Sequence, residues 1–426
     1  MRTSIAAAGG AVSTLGSVIA GNRQYEYQWT SSIHDVSAEL WNELTSNEPV
    51  PILEHEWLSC LEDSGSVSPQ EGWQPRHLLV YLPPDSGADG DSRRLVAAAP
   101  LYLRDESMGE FVFDFAWARV ASEIGAPYYP KLVGMSPMTP CPAYRILVHP
   151  DFEAERDSIQ RYALDRIDAF CRAEHIPTAQ FNFTHLDFHL AAEAKGFRRW
   201  EHQGFVWRNH GYHSFDDYLA GFTKNQRRNI RRERASMDTQ GIVIRALTGQ
   251  DIPEGMFRSM WKYYKATNDQ FGPWAARFLT PQFFDLADER ARHAVLFFAA
   301  YEGQDAADGA DEPIALSMLV WKDRTMLGRY WGAEGFVKDL HFNLCYYSPI
   351  EWAIEHGIEF FDPGMGSAHK LRRGFEAVKN YSVHRFFDPR MDYILENNIE
   401  RINAYEEEMI SQMNSARPVK DEPKSD

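Results

Sequence analysis

The segment DPGMGSAHKLRRGF, from Asp362 to Phe375, concentrates groups that can move protons and hold anions. It follows the largely apolar stretch Ile358–Phe361, so it leaves the end of a buried strand. Gly364 and Gly366 permit a tight turn at positive φ, or a close approach of backbone to a ligand. Ser367 suits the cap of a following helix, and a helix N-terminus preceded by glycines attracts anions. On that helix His369 projects one turn from Arg372 or Arg373, with Lys370 beside it. The pattern makes His369 a proton shuttle or a hydrogen-bonding partner of substrate. Asp362 would orient an amine or the histidine, and Lys370 and Arg373 would hold an anionic group. The plainer alternative is a strand-to-helix turn whose cations face water.

A second set of cations lies in FTKNQRRNIRRERA. Lys224, Arg227, Arg228, Arg231 and Arg232 recur at helical spacing and form a face about 140° wide. Such neighbours repel by a few tenths of a kcal/mol per pair, roughly. The stripe therefore calls for compensation by a phosphate or carboxylate ligand, by acidic side chains elsewhere, or by nucleic acid. His341 and Cys345 would meet on a helix, as a reactive pair or around a buried structural thiol. Of Tyr346 and Tyr347, one packs and the other could protonate a leaving group. In the first half, Asp114 sits in the aromatic run EFVFDFAWA, read as a strand, where an unpaired carboxylate is costly. Lys131 or Arg119 would pair with it. Alternatively Asp114 contacts a substrate amine, together with Tyr129 and Lys131 of YYPKL. No HxH, HExxH or clustered Asp/Glu pattern indicates a metal.

These residues need a scaffold, and 426 residues with 44% hydrophobic and 13% aromatic content suggest two packed domains. A net charge of −17 argues against nonspecific binding to DNA or to an anionic membrane. Four dispersed cysteines without a CxxC fit a reducing, cytoplasmic setting. The first 24 residues lack acids and are rich in small side chains. They read as a disordered or targeting-like segment outside the fold.

One order of elements occurs twice. Strands over Arg76–Leu82 and Arg94–Arg104 form a hairpin with an acidic tip, as do His293–Glu302 and Ile314–Asp323. A helix over Arg161–Ile176 then feeds the strand Thr178–Phe183, and a helix over Tyr346–Ile358 feeds EFFD. Each half continues with a short helix, a Gly-Phe pair and another strand. This order predicts an α/β (α+β) chain of two tandem GNAT-like domains, each a mixed, mostly antiparallel sheet flanked by helices. Residues 25–207 and 208–390 would be the domains, with 391–426 a terminal helix and polar tail.

The strings PILEHEWLSCLEDSGSV, AAAPLYLRDESMGEFVFDFAWA, FVWRNHGYHSFDDYLAGFTKNQRRNIRRERA and LHFNLCYYSPIEWAIEHGIEFFDPGMGSAHKLRRGF resemble the FemAB-like N-acyltransferases, a peptidoglycan-related family. The resemblance runs from about Pro51 to Phe387. It implies transfer of an acyl or aminoacyl group from an acyl-CoA-like thioester or a charged tRNA to an amine, with no tightly bound cofactor. Asp362, His369 and Tyr346 would be catalytic. Lys224, Arg227, Arg228, Arg231, Gly364, Gly366, Lys370 and Arg373 would bind the donor, and Asp114, Tyr129, Lys131 and Asn343 the acceptor. The chain departs from the family where Asn343 replaces an acid and where GMGSAHK replaces GAQGEHK. Those changes keep open a second reading, a module that binds an amino-sugar or peptide without turnover.

Overall fold

The computed structural model describes residues 16–20, 23–83, 93–107, 109–270, 272, 278–303, 312–366 and 368–420. The first half holds β1 (Gly16–Ala20), β2 (Arg23–Thr30), β3 (Gln74–Pro75), β4 (His77–Leu82) and β5 (Arg94–Ala99). It continues through β6 (Leu101–Arg104), β7 (Lys131–Gly134), β8 (Leu147–Val148), β9 (Thr178–Phe181) and β10 (Arg198–Arg208). The second half holds β11 (Ile242–Thr248), β12 (Val295–Glu302), β13 (Ala315–Lys322), β14 (Thr325–Ala333), β15 (Phe360–Asp362) and β16 (Glu376–Phe386). They make two sheets, ordered β1-β2-β4-β5-β8 and β11-β12-β13-β14-β15-β10-β16-β9-β7-β6-β3.

Both hairpins form as their apolar runs require: β4 pairs antiparallel with β5, and β12 with β13. Their acidic tips, 84–92 and 304–311, lie outside the described residues. β4 and β12 are buried along nearly their whole length, as strands covered on both faces should be. The strand expected over Arg94–Arg104 breaks at Pro100, which has no N–H to donate, so β5 and β6 join different sheets. Gly16–Ala20, expected to stand outside the fold, instead pairs with β2 from Gly16↔Tyr27 to Ala20↔Arg23.

Among the described strands the parallel pairs are β7 with β9 and β14 with β15, one in each half. The strand that follows each pair crosses to the other half. β10 lies against β15, and β16 lies against β9. The two crossing strands run antiparallel from Arg198↔His384 to Val206↔Glu376. The exchanged strands thus stitch the two halves together through the 11-stranded sheet.

The buried side chains of the described residues nevertheless form three clusters. The largest draws on both halves. In it Trp57 of the His55–Asp63 helix meets Phe283 of the Pro281–Arg290 helix edge to face, with centroids 5.4 Å apart. The long helix Pro389–Ser415 is capped by Asp388, which accepts from Arg390 N and Met391 N. Its Met391, Leu395 and Ile399 pack with Trp117 and Phe386. No helix among the described residues is long and apolar enough to cross a membrane.

Candidate active site

β14 and β15 pair only from Thr325↔Phe360 to Leu327↔Asp362. Pro363 then offers no N–H, and Gly364, at φ 75°, turns the chain away. β14 continues alone on this side to Ala333. Gly328 marks the fork: a Cβ there would stand 3.2 Å from the Pro363 carbonyl carbon. On its other side β14 keeps its antiparallel pairing with β13, but the register skips from Leu319↔Gly328 to Met318↔Tyr330. Arg329 is therefore an extra residue, a β-bulge that redirects its side chain.

The fork opens a cavity of about 490 Å³ between the halves. Phe111, Met138 and Pro140 line it from the first half, and Tyr264, Arg329 and Tyr346 are among its second-half walls. In the first half β7 and β9 pair along the whole of both strands. A Cβ on Gly134 would lie 2.4 Å from Phe181 Cδ1 and 2.5 Å from Tyr144 Oη, so aromatic side chains fill that space.

The helix expected after Ser367 is a 3-10 helix over Ala368–Arg373, and Ser367, its expected cap, lies outside the described residues. Six residues of 3-10 helix make a weak dipole, so the anion site inferred from a glycine-preceded helix start is not built here. Tyr346 Oη and His369 Nε2 are 3.0 Å apart. Burial, then the charges of Arg373 and Lys370, lowers the imidazole pKa. Burial raises the Tyr346 phenol well above its ordinary range, so it stays protonated at neutral pH. Asp362 Oδ1 accepts from Gly364 N at 2.7 Å. Burial pushes this carboxyl up to about 6, against the pull of that N–H and of Lys370 and Arg329. It shares a small recess with Pro140, Gly364 and Met365, all of which also line the cavity.

The two cations expected to hold an anion are occupied within the protein. Lys370 is buried and donates to Gly364 O at 2.5 Å and Met365 O at 3.0 Å, so it ties down the glycine turn. Burial brings its ammonium down to about 8. Gly366 takes φ 155°, which L side chains rarely adopt, and a Cβ there would also fall 2.9 Å from Lys370 Nζ. Arg373 pairs with Glu233 at 2.9 Å, donates to His369 O at 2.9 Å and lies 3.4 Å from the centre of the Phe342 ring. It clamps the motif to the helix Lys224–Thr239.

That helix presents Gln226, Ile230 and Glu233 inward: Gln226 donates to Arg372 O at 2.6 Å, and Glu233 meets Arg373 and Tyr347. Lys224, Arg228, Arg231 and Arg232 are exposed. At about 100° per residue their stripe is centred roughly opposite Gln226, so it is turned away from His369 rather than set at the cavity edge. Arg227 donates to Phe222 O at 3.0 Å, and Arg231 reaches Asp216 at 3.3 Å. The donor-binding role expected of the stripe finds no support in this placement, because Gln226 and Glu233 face the motif instead.

Asn343 is buried and donates to Glu233 O at 2.9 Å and Asp339 O at 3.0 Å, a structural role away from the cavity. It opens a π-helical turn over Asn343–Tyr347. The turn sends Tyr347 to Glu233 and Tyr346 to His369. Cys345 and His341 do line the cavity together. Burial pushes the thiol up to about 12 and the imidazole down to about 4, so neither ion of a thiolate–imidazolium pair is favoured at neutral pH.

Asp114 is not in a strand. It stands at the start of the helix Phe115–Glu123, after a loop in which Glu110, Phe111 and Phe113 all take positive φ. Lys131, fully buried, lies 2.7 Å from Asp114 and also pairs with Glu110. Arg104 reaches Glu110 at 3.1 Å and Tyr128 donates to Asp114 at 2.6 Å. Burial would raise the Asp114 carboxyl, but the charge and hydrogen bond of Lys131 leave it below its usual value. This network holds strained backbone in place and so fixes Phe111 at the cavity wall. Asp114 and Lys131 therefore support the site from behind, and Tyr129 bonds Ser107 at 3.2 Å. Sequence reasoning missed Arg329, Glu110 and Glu233. A lone arginine after a glycine in the apolar strand TMLGRYWGA was the one available signal.

The sequence profile of the FemAB-like family, described as peptidoglycan biosynthesis/recognition, matches residues 32–421. No curated protein sequence matches. Among solved structures, that of FemX is 12% identical with a TM-score of 0.48, covering 85% of this chain and 98% of its own. L-PGS from Bacillus licheniformis is 9% identical with a TM-score of 0.44, covering 80% and 95%. A tandem GNAT protein from the clavulanic acid biosynthesis pathway is 13% identical with a TM-score of 0.42, covering 86% and 99%.

Proposed function

Since the chain belongs to the FemAB-like family, we propose that it is an N-acyltransferase that joins an acyl or aminoacyl group to an amine in the cavity between its halves. The observation that carries this reading is the fork between β14 and β15. Beyond Leu327 the backbone of β14 has an open edge, which can pair with the amide groups of an extended thioester arm as a neighbouring strand would. Coenzyme A thioesters carry such an arm, which favours a small donor over a charged tRNA. The acceptor is a small-molecule or cell-wall-precursor-like amine.

Asp362 takes the proton that leaves the attacking ammonium, a task suited to a carboxyl near pH 6. The amine nitrogen forms a bond to the thioester carbonyl carbon, the C–S bond breaks, and Tyr346 gives its proton to the departing thiolate. His369, bonded to the phenol, orients it and returns a proton from solvent. The carboxylate at Asp362 also stands in for the acids missing at Asn343 and Ala368, which weakens the reading as an inert binding module.

The test is release of free thiol from acyl-coenzyme A donors in the presence of amine acceptors. Asp362→Asn should cut turnover by about 10²-fold or more while the protein still binds its donor. Tight binding of an acceptor without thiol release from any donor would instead identify a binding module.

A further inference from the structure

Among the described residues lining the cavity, Arg329 is the only one with a permanent charge. It sits on the bulge of β14, one residue past the fork at Gly328. Its Nη2 donates to Met138 O of the first half at 2.6 Å and to Tyr330 Oη at 3.3 Å, both uncharged acceptors. Its buried Nε has no hydrogen-bond partner. A buried guanidinium N–H left unmet is costly, and a carboxylate is the ligand whose geometry suits it.

The opposite charge lies in the small recess that adjoins the cavity and shares Pro140, Gly364 and Met365 with it. Asp362 precedes Pro363, whose backbone packs against Gly328, and its carboxylate bonds Gly364 N. An anion and a cation thus flank one branch point, and the wall beside them is aromatic, with Tyr264, Phe278 and Tyr330.

We propose that the acceptor is a free α-amino acid with an apolar or aromatic side chain: its carboxylate meets Arg329, its ammonium faces Asp362, and its side chain lies on the aromatic wall. The proposal deepens the transferase reading and rests on it. A simple amine offers nothing to Arg329. A peptide N-terminus separates the two charges by a residue or more, whereas an α-amino acid carries both on one carbon. With an acyl thioester as co-reactant, the ammonium loses one proton to Asp362 and, as the amide forms, a second that returns through solvent to the Tyr346 oxygen. The C–N bond replaces the C–S bond, and the thiolate leaves protonated by Tyr346. The product is an N-acyl amino acid that has lost the charge facing Asp362, which favours its release.

Calorimetric titration of the full chain with L-phenylalanine, phenethylamine and 3-phenylpropionate tests this. Phenylalanine should bind about 10- to 100-fold more tightly than either fragment, the range for a hydrogen bond to a charged group. Arg329→Gln should bring its affinity down to that of phenethylamine, and Asp362→Asn down to that of phenylpropionate. Equal affinity of wild type for phenylalanine and phenethylamine overturns the proposal, and that comparison needs no variant to fold. Equal weakening of all three ligands by Arg329→Gln also overturns it and leaves Arg329 as a tie to Met138. With acetyl-coenzyme A added, thiol release on phenethylamine without preference for phenylalanine refutes the amino-acid site but keeps the transferase. Phenylalanine binding without thiol release from any donor does the reverse.

Discussion

Lys131→Met tests whether the buried ion network builds the wall of the cavity. Lys131 is fully buried, 2.7 Å from Asp114 and paired with Glu110. In the variant Glu110 keeps Arg104 at 3.1 Å, but Asp114 keeps only the Tyr128 hydroxyl at 2.6 Å. Stranding a buried carboxylate by removing its partner costs about 3–5 kcal/mol. For a chain of 426 residues, at about 2.1 cal/mol/K of unfolding entropy per residue, that is a fall in melting temperature of roughly 3–6 °C. In the wild type the Asp114 carboxyl is depressed, with burial opposing Lys131, so its stabilisation is full above about pH 3.9 and lost only as pH falls further. Without Lys131 burial, the largest influence, outweighs the Tyr128 hydrogen bond and the carboxyl rises. The deficit should then be greatest at pH 7 and shrink towards pH 5 as Asp114 protonates. Thermal melts of both proteins at the two pH values measure it. A variant melting within 2 °C of wild type at pH 7, or showing the same deficit at pH 5, would refute the reasoning.

The stripe makes a contrasting case: Arg228→Glu should leave donor and acceptor affinity unchanged and stability within about 0.5 kcal/mol, as for other exposed sites. Loss of donor binding in that variant would return the stripe to the site. Acid should destabilise the centre of the exchanged strands, where His202 and His384 bond one Ser382 hydroxyl at 2.6 and 2.7 Å. Burial holds these imidazoles at about 3 and about 4, below the roughly 6.5 of an unfolded chain. Their neutral forms favour the fold fully above about pH 6.5, and that contribution is lost progressively as pH falls from about 6.5 to the folded values of about 4 and about 3. His384→Gln should flatten the decline in melting temperature between pH 6.5 and 4, and an unchanged decline would clear these histidines of the effect.

The elements legible in the sequence are those whose cause is local. Apolar runs and their acidic tips announced both hairpins, 3.6-residue spacing announced the arginine helix, and Pro363 with Gly364 announced the turn that ends β15. The repeated order of elements, with the FemAB-like strings, pointed to two GNAT-like halves. What each cation does was not local. Arg373 is engaged by Glu233 and the Arg372 carbonyl by Gln226, some 140 residues away, and Lys131 by acids on a loop with unusual backbone angles. The residues that face them are chosen by which side of a helix packs inward, and periodicity alone left the charged side and the inward side of the Lys224–Thr239 helix unassigned. The exchange of β10 and β16 was likewise invisible, because strand partners are set by long-range pairing and not by the composition of either strand. Sequence determined the parts and the turn. Tertiary packing decided that the fork opens in the second half and that Phe181 and Tyr144 fill the space in the first, since a cavity depends on which side chains meet across distant strands.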